Sequence, residues 1–224
     1  MSEPARGRFI TLEGGEGAGK SVQAKRLQAR LAALGLEVVR TREPGGSPHA
    51  EVLRNALLSG FAAQFGPEGE ALLFAAARID HLDKTIRPAL ARGAWVVCDR
   101  FADSTRAYQG AAGNLPPGYL ESLERVAVGP NKPDLTLILD IEPETGLARA
   151  HKRRGKRGRA DRFESEGLAF HATLRRAFLD IAAEQPSRCV IIEAGKREDE
   201  VAADIWSGVE SRVDPAGALA RNPL

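Results

Sequence analysis

The chain is predicted to fold as an α/β protein, with a five-stranded parallel sheet flanked by helices on both faces. The first observation is five short apolar runs at residues 9–12, 36–41, 95–98, 135–141 and 189–192. They are nearly continuous in apolar residues rather than alternating, the pattern of strands covered on both sides. The second is that one or more stretches of helical apolar spacing separate each pair, as the crossovers of a parallel sheet require. The third is a glycine-rich segment between the first strand and the first helix.

Taken in order, the run 9–12 is β-branched and apolar, and residues 21–34 carry Val22, Leu27, Leu31 and Leu34 at helical spacing before Gly35 stops the helix. Further helices are expected at 48–58, 67–86, 117–128, 145–154, 165–183 and 198–213, several opening on a proline, which the first turn tolerates. No repeat or long linker interrupts the pattern, so residues 1–213 read as one domain. Residues 214–224 lose periodicity and are expected to form a disordered tail.

Composition narrows the function. The net charge is only +2, so nothing global calls for nucleic acid as a partner. No apolar run approaches the roughly 20 residues that span a bilayer, and the polar start lacks a signal-peptide core, so no membrane role and a cytoplasmic location are expected. Cys98 and Cys189 sit in apolar strand runs, which suits reduced buried thiols.

Gly14-Gly15-Glu16-Gly17-Ala18-Gly19-Lys20-Ser21 matches the phosphate-binding loop pattern, with strand before and helix after. Glycines let backbone N–H groups converge on a polyphosphate, and the helix N-terminus adds its dipole. Lys20 would reach the β and γ phosphates, and the Ser21 hydroxyl would ligate Mg²⁺. Ligands of open α/β sheets sit at the carboxyl ends of strands. There the third run ends in Asp99-Arg100, a carboxylate able to hold Mg²⁺ through water and a guanidinium able to fork onto phosphate. A turn dense in neutral hydrogen-bonding groups follows at 103–110, suited to an uncharged heterocycle. The second run leads into Thr41-Arg42-Glu43-Pro44-Gly45-Gly46, with Arg54 two helical turns further on. Phe74 and Arg78 are four apart and share a helix face, a plausible base pocket. Residues 149–162 hold eight Lys/Arg and one Asp, either a nucleic-acid patch or, beside a phosphate loop, a lid that excludes water. Asn131-Lys132-Pro133-Asp134 fits the guanine tetrad of GTPases but precedes its strand, at the wrong sheet edge.

In its ordered set of motifs the chain resembles the thymidylate kinases: residues 13–21, 41–46, Leu73-Phe74-Ala75-Ala76-Ala77-Arg78 with His81, Asp99-Arg100-Phe101 with Ser104 and Ala107-Tyr108-Gln109-Gly110, residues 133–136, and Asp161-Arg162-Phe163-Glu164. The resemblance implies a P-loop nucleoside-monophosphate kinase fold with a basic lid at about 149–164, a homodimer, and γ-phosphoryl transfer from MgATP to dTMP. It implies that residues 14–21 bind ATP and that Phe74 stacks on thymine while Arg78 and Gln109 bond its edge. Ser104 and Thr105 would line the pocket, Glu43 and Pro44 would lie beside the acceptor, and Arg54 and Arg100 would hold its phosphate. Glu16 would contact the sugar or the metal's water shell. Gly17 marks the bacterial type, whose transition-state arginines come from the lid, here Arg157 and Arg162. Val22 departs from the family's second hydroxyl residue, and the lid is longer and more basic than usual. The alternatives are another nucleoside-monophosphate kinase, or a nucleic-acid-binding ATPase using the basic run.

Overall fold

The computed structural model describes residues 6–155 and 162–220. Strands β1 (Phe9–Gly14), β2 (Val38–Arg42), β3 (Trp95–Asp99), β4 (Leu135–Asp140) and β5 (Cys189–Glu193) form one sheet, all parallel, in the order β2-β3-β1-β4-β5. The described helices are α1 (Lys20–Ala33), α2 (Pro48–Leu58), α3 (Gly66–His81), α4 (Arg87–Ala91), α5 (Ala102–Thr105), α6 (Pro117–Ala127), α7 (Pro143–Arg154), α8 (Leu168–Glu184), α9 (Glu198–Val213) and α10 (Pro215–Ala220).

The continuous apolar runs are explained by what covers them. Along β4, Leu135, Leu137 and Leu139 pack with Leu27 and Leu31 of α1 and Ile205 and Val209 of α9, whereas Ile138 between them packs with Leu174, Phe178 and Ile181 of α8. On β1, Ile10 and Leu12 join the first layer and Phe9 joins Leu82, Ile86 and Val96 on the opposite face. Side chains alternate across a strand, so burial on both faces demands an apolar residue at nearly every position.

Three expectations need correction. The helix expected over 67–86 ends at His81, widens into a π-turn at Leu82–Ile86 and restarts as α4. Apolar periodicity persists through the join, but Pro88 has no N–H to give a preceding carbonyl, and the helix widens ahead of it. The segment expected as a turn at 103–110 is helical, as α5 followed by a π-helix at Arg106–Ala112. Its Asp, Ser and Thr side chains look like turn formers. What settles the helix lies outside the segment: the Glu13 carboxyl accepts the N–H groups of Phe101 (2.7 Å) and Ser104 (3.3 Å) at its start. The aperiodic tail contains α10, with Pro215 as its first residue and the Asp214 carboxylate accepting the Gly217 N–H at 2.9 Å. Asp134 of the GTPase-like tetrad accepts the N–H of Phe9 at 2.7 Å, at the edge of the sheet away from Gly14.

Candidate active site

The carboxyl ends of β1, β2 and β3 bring the chemistry together. Leu12 is in register with Asp99, and Arg42 with Asp99 on the other side, so the phosphate loop and the turns after β2 and β3 open at one edge. Gly17 has φ 67° and sits against the backbone carbonyl of Gly146 on α7, where any Cβ would collide. Neither the conformation nor the space admits a larger residue there. Gly19, at φ 89°, caps α1, whose first residue is Lys20.

Lys20 is buried, and its ammonium donates to the carbonyls of Gly14 (3.1 Å) and Gly15 (2.7 Å). Burial first, and then the nearby Arg100, bring its pKa down to about 8 against the pull of Glu16, Asp99 and Glu13. The Ser21 hydroxyl donates to the Asp99 carboxylate, so the two groups expected at a metal already touch. Among the described residues no group of three or more His, Cys, Asp or Glu gathers to hold a metal by itself.

Arg100 occupies the left-handed region at φ 69°, uncommon for a side-chain-bearing residue. Its guanidinium lies over the Tyr108 ring, 4.9 Å from the centroid, and donates to Glu16 Oε1 (2.6 Å), the Gly14 carbonyl (3.1 Å) and Ser104 Oγ (3.2 Å). The Tyr108 hydroxyl donates to the same Glu16 oxygen at 2.8 Å. Burial would raise the Glu16 pKa, but Arg100, Lys20 and that hydroxyl together hold it at about 2. Burial drives the Tyr108 pKa well up, which keeps its hydroxyl a donor. Glu16 therefore anchors Arg100 to the phosphate loop.

A cavity of about 350 Å³ runs from this edge toward α3 and the segment 163–164. Glu16, Gly17, Gly19, Lys20, Ser21 and Asp99 line one end. Glu43, Pro44, Arg54, Phe74, Arg78, Arg100, Ser104, Thr105 and Gln109, all expected beside the acceptor, also line it. Gly14 and Gly15 face a smaller space of about 20 Å³ bordered by His171 and Arg175, and Ala18 is in the core against α1. At the apolar end Phe74 and Phe163 have centroids 6.3 Å apart, and Tyr108 meets Phe163 edge-on at 5.2 Å. Arg78 donates through Nε to Glu43 (2.8 Å) and through Nη2 to the Phe101 carbonyl (3.2 Å) and Thr105 Oγ1 (3.0 Å). Arg54 donates to the Pro44 carbonyl at 2.5 Å.

The described residues of the expected lid divide. Arg153 of α7 lines the cavity and donates to Glu164 at 3.0 Å, and Arg154 donates to the other oxygen of the same carboxylate at 2.8 Å. Arg162 is turned to Glu70 on α3, with which it forms an ion pair, and is not among the residues lining the cavity. Arg157 lies outside the described residues. In the sequence Tyr108, Phe163 and Glu164 carry no role of their own, and Arg153 is one of several lid arginines that could act on the phosphoryl group. For Tyr108 a signal existed, since it stands inside the motif Ala107-Tyr108-Gln109-Gly110 that follows Asp99-Arg100.

The Lys20 pKa gives a testable pH dependence. A phosphate ligand needs the charged ammonium, so kcat/KM for ATP, which reports the free protein, should fall as pH rises through about 8. The sign for folding is opposite. The folded chain binds fewer protons here than the unfolded one, so stability from this group rises with pH above about 8. A kcat/KM profile flat to pH 10 would show that Lys20 charge is not needed.

The family model described as thymidylate kinase matches residues 12–205. The chain is 55% identical over 213 residues to a thymidylate kinase of Bradyrhizobium diazoefficiens, covering 95% of this chain and 93% of the relative. It is 54% identical over 220 residues to a thymidylate kinase of Nitrobacter winogradskyi, covering 98% and 95%. Among solved structures, thymidylate kinase from Ehrlichia chaffeensis superposes with a TM-score of 0.72 at 31% identity, covering 90% of this chain and 98% of that one.

Proposed function

Since the chain belongs to the thymidylate kinase family, we propose that it transfers the γ-phosphoryl group of MgATP to dTMP, giving dTDP. The observation that carries this is a cavity of about 350 Å³ whose walls include both the phosphate-loop ammonium of Lys20 and the aromatic and guanidinium groups of Phe74 and Arg78. Donor and acceptor phosphates thus meet in one space, which is what in-line transfer requires.

The roles follow from position. The loop 14–21 cradles the ATP phosphates, with Lys20 countering β and γ charge. Mg²⁺ would neutralise charge between the phosphates, and Ser21 with Asp99, through water, would supply the protein's hard oxygen donors. Phe74 offers its face to the thymine, and Arg78 and Gln109 lie within the same wall to meet the ring's polar edge. Arg100 and Arg54 face the acceptor phosphate. That phosphate is itself the nucleophile, so no strong general base is needed.

We also propose a homodimer and a cytoplasmic location. Val52, Leu72, Ile79 and Val126 are exposed on helices α2, α3 and α6, apolar side chains that a second copy would cover. Both cysteines are free and buried, and among the described residues no helix is long and apolar enough to cross a membrane.

The deciding experiment is product formation from ATP with dTMP, dUMP, dCMP and dGMP in parallel. Preference for dTMP is expected, and equal or better use of another monophosphate would reassign the acceptor. Phe74→Ala should raise the KM for dTMP by about 10- to 100-fold through lost stacking, leaving the KM for ATP near wild type. If dTMP kinetics stay unchanged and only the melting temperature drops, Phe74 is a core residue.

A further inference from the structure

The strand end of β2 and the end of α3 share a buried polar chain that ends on Arg78, and its members His81 and Thr41 have no part in the reaction as described. His81, the last residue of α3, is completely buried. Both ring nitrogens are engaged, Nδ1 with Glu43 Oε1 at 3.0 Å and Nε2 with Thr41 Oγ1 at 2.7 Å. A carboxylate only accepts, so Nδ1 carries the hydrogen and Nε2 takes the Thr41 hydroxyl proton in a hydrogen bond. The other Glu43 oxygen accepts Arg78 Nε at 2.8 Å. Gly46 closes the far side: at φ 85° its backbone lies so near His81 Nε2 and Thr41 Oγ1 that a Cβ would strike both, and its carbonyl accepts the Thr85 hydroxyl at 2.8 Å.

We propose that His81 is a positioning residue for the acceptor base, acting through Glu43 on Arg78. With Nε on Glu43 and Nη2 on Phe101 and Thr105, Arg78 presents Nη1, for which no hydrogen-bond partner occurs among the described residues, on the cavity wall. Three fixed bonds set the plane of a guanidinium, and the plane decides whether Nη1 meets an acceptor on the ring edge. Glu43 can hold that plane only if its own carboxylate cannot rotate. Arg78 fixes one oxygen and His81 fixes the other. The consequence is selectivity: an aligned Nη1 favours a pyrimidine carbonyl and rejects cytosine, which places an amino donor at the same position.

This inference rests on the dTMP kinase reading, and the test separates the two. Two variants divide the ring's functions. His81→Asn keeps an N–H near the Nδ1 position, and His81→Gln places its amide near Nε2 and withdraws the bond to Glu43. Expected for His81→Gln is a rise of about tenfold in the KM for dTMP and a fall of similar size in the dTMP-over-dCMP preference, with the KM for ATP unchanged. His81→Asn should recover most of both. Thr41→Val, close to isosteric, loosens the ring from behind and should raise the KM for dTMP by a smaller factor, about threefold. It also serves where a His81 variant fails to fold. A lower melting temperature with dTMP and dCMP kinetics unchanged in all the folded variants would make His81 structural only, and overturn the proposal. Failure of the wild-type protein to phosphorylate dTMP would overturn the functional reading instead.

Discussion

Lys20→Ala is expected to lower kcat/KM by about 10³-fold or more and to leave the melting temperature at or above that of wild type. The two halves of this expectation have separate causes. The ammonium is the buried cation of the phosphate loop, and transfer concentrates negative charge where it points. In the ligand-free protein the same ammonium is a cost, because it is desolvated and only backbone carbonyls accept from it. The pKa near 8 records that imbalance, since burial outweighs the surrounding carboxylates. Removing a strained charge relieves the fold and disables the site together. Kinetics and thermal melting on one preparation check both, and a variant that loses activity only in proportion to lost folded protein would refute the phosphate role. Arg100→Ala should also abolish transfer, but by a mixed route. Its side chain is the nearest cationic partner of Glu16, so the change leaves the buried carboxylate to the Tyr108 hydroxyl and the charges of Lys20 and His171, and stability should fall as well. In the sequence, Asp99-Arg100 reads either as a phosphate-binding pair or as an ion pair at the strand end. The geometry makes it the brace between loop and turn.

How much of this was legible beforehand follows from whether each signal is local. The five strands and their parallel arrangement were readable because burial on both faces writes itself into every position of a strand, as at Leu135, Leu137 and Ile138. The phosphate loop was readable because glycine is forced at positions such as Gly17, where φ and a neighbouring carbonyl both exclude a side chain. Arg78, Gln109 and the other residues assigned to the acceptor could be located by motif, and they do share one cavity. What was not legible depends on contacts distant in sequence. The helix over 102–112 is capped by Glu13, some 90 residues earlier. Phe163 closes the aromatic end of the cavity from the C-terminal end of the expected lid, and only folding brings it to Tyr108 and Phe74. The division of the basic run was equally hidden, because charge counting cannot tell which arginine finds a carboxylate partner.

That division sets the last test. Arg162→Ala is expected to lower kcat at least about a hundredfold with dTMP binding retained, if Arg162 engages the transferring phosphoryl group when the lid closes. In the structure its guanidinium pairs with Glu70, a buried carboxylate of α3, and Arg153 is the lid arginine on the cavity wall. To act on the phosphoryl group, Arg162 must exchange Glu70 for the substrate, and the ion pair would then be the open state's hold on it. Glu70→Gln distinguishes the two roles. Weakening the hold leaves the arginine available, so Glu70→Gln should keep kcat within a few fold of wild type while Arg162→Ala loses it. If the pair is only structural, both changes should behave alike, with lower melting temperatures and near-normal kcat. Arg153→Ala completes the comparison. A large kcat loss there, beside near-normal turnover in Arg162→Ala, would transfer the transition-state role to Arg153, which already faces the cavity from α7 and is braced by Glu164 at 3.0 Å.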